Sequence, residues 1–343
     1  MVRENGTHRA PARDPEDPEI RGSQPAERLC VSPKIVIGVC SYARPIMLAR
    51  CLESLAKQTH PAGFSLSIVV VDNEPLENNR ELVEDFASRC PVPVRYRHEP
   101  RRGIAFARNA VLDDAIAVET DWIAMLDDDE TAAPDWIENL MAPEYVDTPV
   151  LMGRQVFVYP EGMPFWTKPK PAMRQRDIEG IERDRAFTNN VRFSISLVRA
   201  GLRFRESLAL TSGEDTDFFA RAHAQGFRIR HTTRAVTYEE AHPDRHTLSA
   251  QVYRSYWEAA SEARRQLTVA PRGKVFRTYA YRIPRAWLIG LGRLVIAPFF
   301  VVSGLDKAKR RIVSGAKKMG SAAGLLAGLL GIRPSPYRKI SGY

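Results

Sequence analysis

Cysteine is scarce in this 343-residue chain, and the four present, Cys30, Cys40, Cys51 and Cys90, form no CxxC pair and no metal-ligand spacing. That excludes a disulfide-stapled scaffold and a cysteine-built zinc site. Cys40 and Cys51 stand in apolar contexts and are expected as buried thiols of a reducing compartment. No GxGxxG follows the first apolar run, Lys34 to Cys40, which removes the dinucleotide-binding oxidoreductases. A nucleotidyltransferase would need a glycine-rich basic loop there, and Ser41-Tyr42-Ala43-Arg44-Pro45 is not one. The polar, proline-rich opening lacks the pattern of a secretory signal, and no internal repeat is found. Acids are nearly missing from one end: Arg264 to Tyr343 carries 17 Lys/Arg against Asp306 alone, a net charge of +16. The overall +9 therefore leaves Met1 to Ala263 at −7, so the basic surface belongs to the tail.

What is present is globular, 44% hydrophobic and 27% charged. Residues 1–32 are rich in Pro, Arg and acids without apolar periodicity and are expected as a disordered leader. Short apolar runs at Lys34–Cys40, Leu66–Val71, Val92–His98 and Trp122–Leu126 read as buried strands. Helical stretches lie between them: Pro45 to Leu55, Glu77 to Ser88, and one opening at Gly103. This alternation predicts an α/β domain with a mostly parallel sheet and flanking helices. Beyond Asp135 the pattern loosens, with strands expected at Val150–Tyr159 and Val191–Val198 and an irregular stretch from Pro160 to Arg185 around Trp166. A late helix is expected to run to Gln225, capped by Thr211-Ser212-Gly213, with Glu214, Asp215 and Asp217 in its first turn.

The stretch that draws attention is Met125-Leu126-Asp127-Asp128-Asp129-Glu130, where a buried strand stops at four acids. Carboxylates at the carboxyl edge of an open α/β sheet face the place where ligands bind, and hard oxygen ligands suit Mg2+ or Mn2+. A solvated acidic turn before the helix signal Pro134-Asp135-Trp136 is the plain alternative.

Five pieces, in this order, resemble the family 2 glycosyltransferases with the GT-A fold: VCSYARP (Val39 to Pro45), VVVDNEP (Val69 to Pro75), GIAFARNA (Gly103 to Ala110), MLDDDE (Met125 to Glu130) and GEDTDFF (Gly213 to Phe219). They fall between Lys34 and about Arg245. Within the family the chain looks most like the succinoglycan-assembly glucosyltransferases of bacterial exopolysaccharide pathways, on IGVCSYARP, LDDDETAAPDW, GEDTDFF and the tail AGLLGI (Ala327 to Ile332).

The resemblance implies an inverting enzyme that moves a hexose, glucose by the closer match, from a UDP-sugar to a lipid-linked oligosaccharide carried on polyprenyl diphosphate. On the donor side it implies Ser41, Tyr42 against the base, Arg44, and Asp72 hydrogen-bonded to uracil; an Asx turn is the plain alternative for Asp72. Asp127 to Asp129 match the DxD motif, with Asp129 a metal ligand together with Asp127, and Asp127 or Asp128 facing the ribose. Arg108 either meets the diphosphate or forms a salt bridge to an acid. Asp215 matches the catalytic base, Glu214 supports it or orients the acceptor, and Asp217 caps the helix. The family's metal-binding histidine is missing: Tyr238 falls at its place, and His242 follows four residues later.

The catalytic domain is expected over 33–250, leaving 251–343 as a helical, basic and apolar appendage. Trp287 to Leu305 is almost wholly apolar between basic flanks, broken by Arg293 and Pro298, and reads as an interfacial or re-entrant helix rather than a clean span. A core helix is the alternative. The expected location is the cytoplasmic face of a bacterial inner membrane, peripheral or monotopic. A nucleic-acid-binding protein or a non-catalytic membrane scaffold would also use a basic tail, but basic residues bracketing an apolar stretch favour the membrane surface, and no nucleic acid is expected.

Overall fold

This computed structural model describes residues 32–59, 62–163, 178–210 and 213–332. The expected leader up to residue 31, Trp166 with its neighbours, and the Thr211-Ser212 cap lie outside them. Strands β1 (Lys34–Ser41), β2 (Ser65–Asp72), β3 (Val94–His98) and β4 (Trp122–Asp127) alternate with helices α1 (Pro45–Ala56), α2 (Arg80–Arg89) and α3 (Ile104–Ala117). They pair in parallel in the order β3-β2-β1-β4. Val36, Val69 and Val71 pack with Val111 of α3, while Ile35, Ile37 and Val39 pack with Leu48 and Leu52 of α1. Helices cover both faces, so the central strands β1 and β4 are almost wholly apolar, whereas the edge strand β3 is mostly polar.

The sheet continues as a mixed one. Its further strands are β5 (Glu130–Ala132), β6 (Val150–Val158), β7 (Glu182–Arg183), β8 (Asn190–Ser194) and β9 (Ile229–Glu240); α4 (Trp136–Leu140), α5 (Ser196–Arg199) and α6 (Glu214–Ala224) connect them. β8 runs antiparallel to β4 and β6, and β9 pairs parallel with β6 but antiparallel with β5 and β7. The strand expected over Val191–Val198 ends early. The Ser194 hydroxyl accepts from the Ser196 amide at 3.2 Å, a local bond that competes with the ladder and starts α5. Inside β8, the fully buried Arg192 donates to the carbonyls of Leu140, Tyr145 and Thr148 at 2.9–3.1 Å, tying the connection after α4 to the sheet.

The described residues close with three long helices, α7 (Leu248–Val269), α8 (Arg272–Ile296) and α9 (Leu305–Leu329). The apolar Trp287–Leu305 stretch is not one element. α8 stops at Ile296, Pro298 opens a 3-10 turn, and Gly304 at φ +119° restarts the chain into α9. No described helix is long and apolar enough to cross a membrane. Gly320, Gly324 and Gly328, four residues apart and so on one face, lie against the α7 backbone. A Cβ on Gly324 would come 2.0 Å from the Tyr256 carbonyl oxygen, so this helix pair closes only over glycine.

Candidate active site

The order β3-β2-β1-β4 reverses direction between β1 and β4, and the carboxyl ends of these neighbours form a crevice of the kind where α/β sheets bind ligands. Register places Cys40 beside Asp127 and Ser41 beside Asp72. The cleft there is lined by Ser41, Tyr42, Arg44, Asn73, Arg102 and Asp128, among others. Arg102 lies over the Tyr42 ring, 5.3 Å from its centroid. The turn into α1 is held in an uncommon form, with Ala43 at φ +53° and its amide donating to Glu74 Oε1 at 3.0 Å.

The three aspartates after β4 have different surroundings. Asp128 turns inward, where Oδ2 accepts from the Ser41 hydroxyl at 2.8 Å and Oδ1 from Arg44 at 3.0 Å. Burial pushes its carboxyl up to about 7, against the pull of Arg44. Asp129 accepts from the same guanidinium at 2.9 Å. Asp127 alone keeps its side chain substantially open, at 41%. Protein crowding still desolvates it, and with the charges of Asp129 and Asp215 this raises it to about 6 while Arg108 opposes. Of the two candidates for facing a ribose, the geometry leaves Asp127 open and Asp128 occupied.

Arg108 on α3 is the buried centre on the other side. It bridges Glu214, the first residue of α6, and stands 3.5 Å from Asp127 Oδ1. The salt-bridge alternative is therefore the one seen. α6 is fixed by Phe218, stacked on Phe204 with centroids 4.3 Å apart, and by Phe219 against Phe193. These anchors sit one turn beyond Glu214 and Asp215, so packing of the phenylalanines fixes the two acids beside Arg108. Burial raises the Glu214 carboxyl to about 7, and Asp215 adds to it. Asp215, half-buried, accepts from the Thr216 amide at 2.6 Å, and its charge is felt by both Arg108 and Asp127.

Two expectations need correction. Asp72 is fully buried and does not line the cleft; its carboxylate accepts from the amides of Glu74 and Asn79 and from the Tyr96 hydroxyl at 3.0–3.1 Å, closing an Asx turn. Asn73 takes the cleft position instead. Asp217 does not cap α6, whose N-cap is Gly213 in a left-handed conformation; it pairs with Arg205 and Arg221 at 2.8–2.9 Å. Arg44, expected on the donor side, lines the cleft and is paired there with Asp128 and Asp129.

No group of three His, Cys, Asp or Glu among the described residues is arranged to hold a metal by itself. Tyr238 is 40% exposed on β9, and His242 caps a short turn by accepting from the Asp244 amide. The donor set nevertheless fits Mg2+ or Mn2+, which take one or two carboxylates and complete their shell with water and phosphate oxygens. Asp127 and Asp129 offer such oxygens at the crevice. Sequence reading gave no role to Glu130, which is 1% exposed. It accepts from Asn189 at 3.0 Å and from Gln155, which also donates to Glu239, its cross-strand neighbour, at 2.7 Å. Burial raises Glu130 well above the usual carboxylate range. Arg102 was also missed, although the pair Arg101-Arg102 directly precedes the GIAFARNA piece.

The model of glycosyl transferase family 2 matches residues 36–204. The succinoglycan biosynthesis protein ExoM of Rhizobium meliloti is 31% identical over 312 residues, spanning 87% of this chain and 94% of that protein. The glucosyl-dolichyl phosphate glucuronosyltransferase of Haloferax volcanii is 28% identical over 253 residues, 67% of this chain and 76% of that one. Among solved structures, the mannosyltransferase PcManGT of Pyrobaculum calidifontis, in complex with GDP-Man and Mn2+, superposes with a TM-score of 0.55 at 15% identity, covering 86% of this chain and 87% of that one. Parallel strands, an acidic crevice at their switch point and these likenesses agree, and the chain belongs to glycosyltransferase family 2, with a GT-A fold and a helical C-terminal extension.

Proposed function

We propose that this glycosyltransferase moves a hexose, glucose by its likeness to ExoM, from a UDP-sugar to a polyprenyl-diphosphate-linked oligosaccharide, with inversion, in assembly of a cell-surface polysaccharide. The observation that carries this reading is the convergence on Arg108 of Asp127, open to the crevice, with Glu214 and Asp215 at the start of α6. Asp215 takes the proton of the acceptor hydroxyl as its oxygen bonds to the anomeric carbon, and the bond from that carbon to the UDP oxygen breaks on the opposite face. Arg108 and Glu214 hold each other in place and keep a positive charge beside Asp127, which orients the donor. Ser41 and Arg44 fix Asp128 and Asp129, while Tyr42 and Asn73 line the base side. A bound Mg2+ or Mn2+, held by Asp129 and Asp127, supplies positive charge that offsets the charge developing on UDP.

The acceptor places the enzyme at the cytoplasmic face of the membrane, attached through the basic C-terminal helices rather than by a span. Because α9 packs on α7, a soluble catalytic piece should end before Leu248. The test is hydrolysis of a panel of nucleotide sugars with divalent cation. UDP-glucose should be preferred, and Asp129→Asn should abolish turnover while the protein stays folded. Full activity in excess chelator would remove the metal from the proposal.

A further inference from the structure

A cavity of about 1000 Å³ lies among the C-terminal helices, built by other residues than those of the acidic crevice. α9 supplies Lys307, Arg310, Arg311, Lys317 and Lys318 to its wall, and α8 adds Arg282 and Arg293. Only two acids line it, Glu258 and Glu262 of α7. Both are already bridged at 2.8 Å by arginines of their own helix, Arg254 and Arg265. The lining therefore holds a large excess of positive charge. Several of these side chains are oriented: Lys317 donates to Gln251 Oε1 at 2.8 Å, Arg293 to the Ser314 hydroxyl at 2.5 Å, and Arg311 stacks 4.3 Å from the Phe300 centroid. Burial pulls the Lys317 pKa down, against the opposing charge of Glu258.

The wall residue Phe300 belongs to the turn between α8 and α9. That turn and the helix residues flanking it expose large apolar side chains: Val295 is 60% exposed, Phe299 75%, Val302 96% and Leu305 61%. A free phosphate or a nucleic acid makes no use of such a surface, whereas a lipid presents an anionic head beside apolar chains. We propose that this cavity binds the phosphate-bearing headgroup of an anionic bilayer lipid, with the lipid's chains against the Val295–Leu305 turn. The proposal rests on the membrane-face reading above but concerns attachment, not transfer.

The test uses the full chain in sedimentation with phosphatidylcholine vesicles, with and without phosphatidylglycerol. A cavity variant carries Lys307→Gln, Arg310→Gln, Arg311→Gln and Lys318→Gln. A control removes the same charge outside the cavity, through Arg272→Gln, Lys274→Gln, Arg277→Gln and Lys309→Gln. The proposal expects tight binding to anionic vesicles only, displacement by inorganic pyrophosphate, and at least roughly tenfold weaker binding for the cavity variant than for the control. Helical circular dichroism and nucleotide-sugar hydrolysis should be unchanged in both. If the quadruple variant loses helicity, the exposed Lys307→Gln alone should still weaken vesicle binding relative to Lys309→Gln. Equal losses in variant and control mean diffuse charge and overturn the site. So does binding of pyrophosphate by a protein that ignores vesicles, or preferential displacement by duplex DNA. Failure of the hydrolysis assay in the unaltered protein would strike the catalytic reading instead, leaving the vesicle result to stand or fall separately.

Discussion

Around the crevice, charge is hidden: Arg108, Asp128, Glu130 and Glu214 are 6%, 4%, 1% and 3% exposed. In α8 and the turn before α9 the pattern reverses, with Leu288 at 70%, Phe299 at 75% and Val302 at 96%. Buried ionisable groups are costly without partners, and a domain that keeps four of them places them for chemistry or specificity rather than stability. Exposed apolar side chains grouped on one turn are equally costly in water unless another surface covers them. One region is thus organised inward, around groups that act on a substrate, and the other outward, toward something the chain meets.

The sharpest test of the inward region is Asp215→Asn. Transfer should fall ~10²–10⁴-fold, the usual effect of losing a general base, while UDP-sugar affinity stays near that of the unaltered protein. Measured by rate and by calorimetric titration of donor, a joint collapse of both in a folded variant would reassign the residue.

Next comes Arg108→Met, which leaves Glu214 and Asp127 without the guanidinium between them. Breaking a buried pair costs about 3–5 kcal/mol, so denaturant midpoint and melting temperature should drop markedly. The pH dependence follows from Glu214, raised by burial to about 7 from 4.5. Between those values the folded state holds a proton that the unfolded state has released, so stability falls as pH rises and levels off above about 7. Asp128, also raised to about 7, contributes with the same sign. Glu214→Gln should flatten part of that slope; melting temperatures across the window, compared with those of the unaltered protein, would read it. An unchanged slope would mean that Glu214 is ionised throughout.

The outward region is tested by Gly324→Leu. The new side chain would meet the Tyr256 carbonyl and force α9 off α7, an overpacking cost of about 1–3 kcal/mol. The expected result is loss of vesicle binding and of helical signal with donor hydrolysis retained. Loss of hydrolysis as well would show that the two regions fold as one unit and would weaken the contrast drawn above.

Much of this was legible beforehand where local pattern and fold coincide. β1 and β4 are almost wholly apolar because helices cover both faces, and they stop at Ser41 and Asp127 beside the crevice. α6 could be placed because its acids and phenylalanines are four residues apart. What sequence hid is pairing across distance. Nothing near Asp72 says that Tyr96, from another strand, will occupy its carboxylate. Arg44 shares no local pattern with Asp128 and Asp129, and Gln155 none with Glu130 and Glu239. The mixed half of the sheet was obscured for the same reason, since β9 pairs with three strands distant in the chain. In the tail, hydropathy marked the apolar stretch correctly but could not show that Pro298 and Gly304 break it into two helices and a turn.

The smallest expected effect concerns Ala43, whose φ of +53° lies in the left-handed region that favours glycine. Such a conformation costs a residue with a Cβ about 1–2 kcal/mol, while glycine in its place loses ~0.5–1 kcal/mol through the extra freedom of the unfolded chain. Ala43→Gly should therefore change stability by no more than about 1.5 kcal/mol, in the stabilising direction. The turn it relaxes also presents Tyr42 and Arg44 to the cleft, and its amide bond to Glu74 holds the β2 side of the crevice. If the conformation is held for function, donor affinity should weaken by a few-fold in the same variant whose melting temperature rises. A variant more stable and equally tight for donor would show the strain to be incidental, and the inward region would then owe its form to buried charge alone.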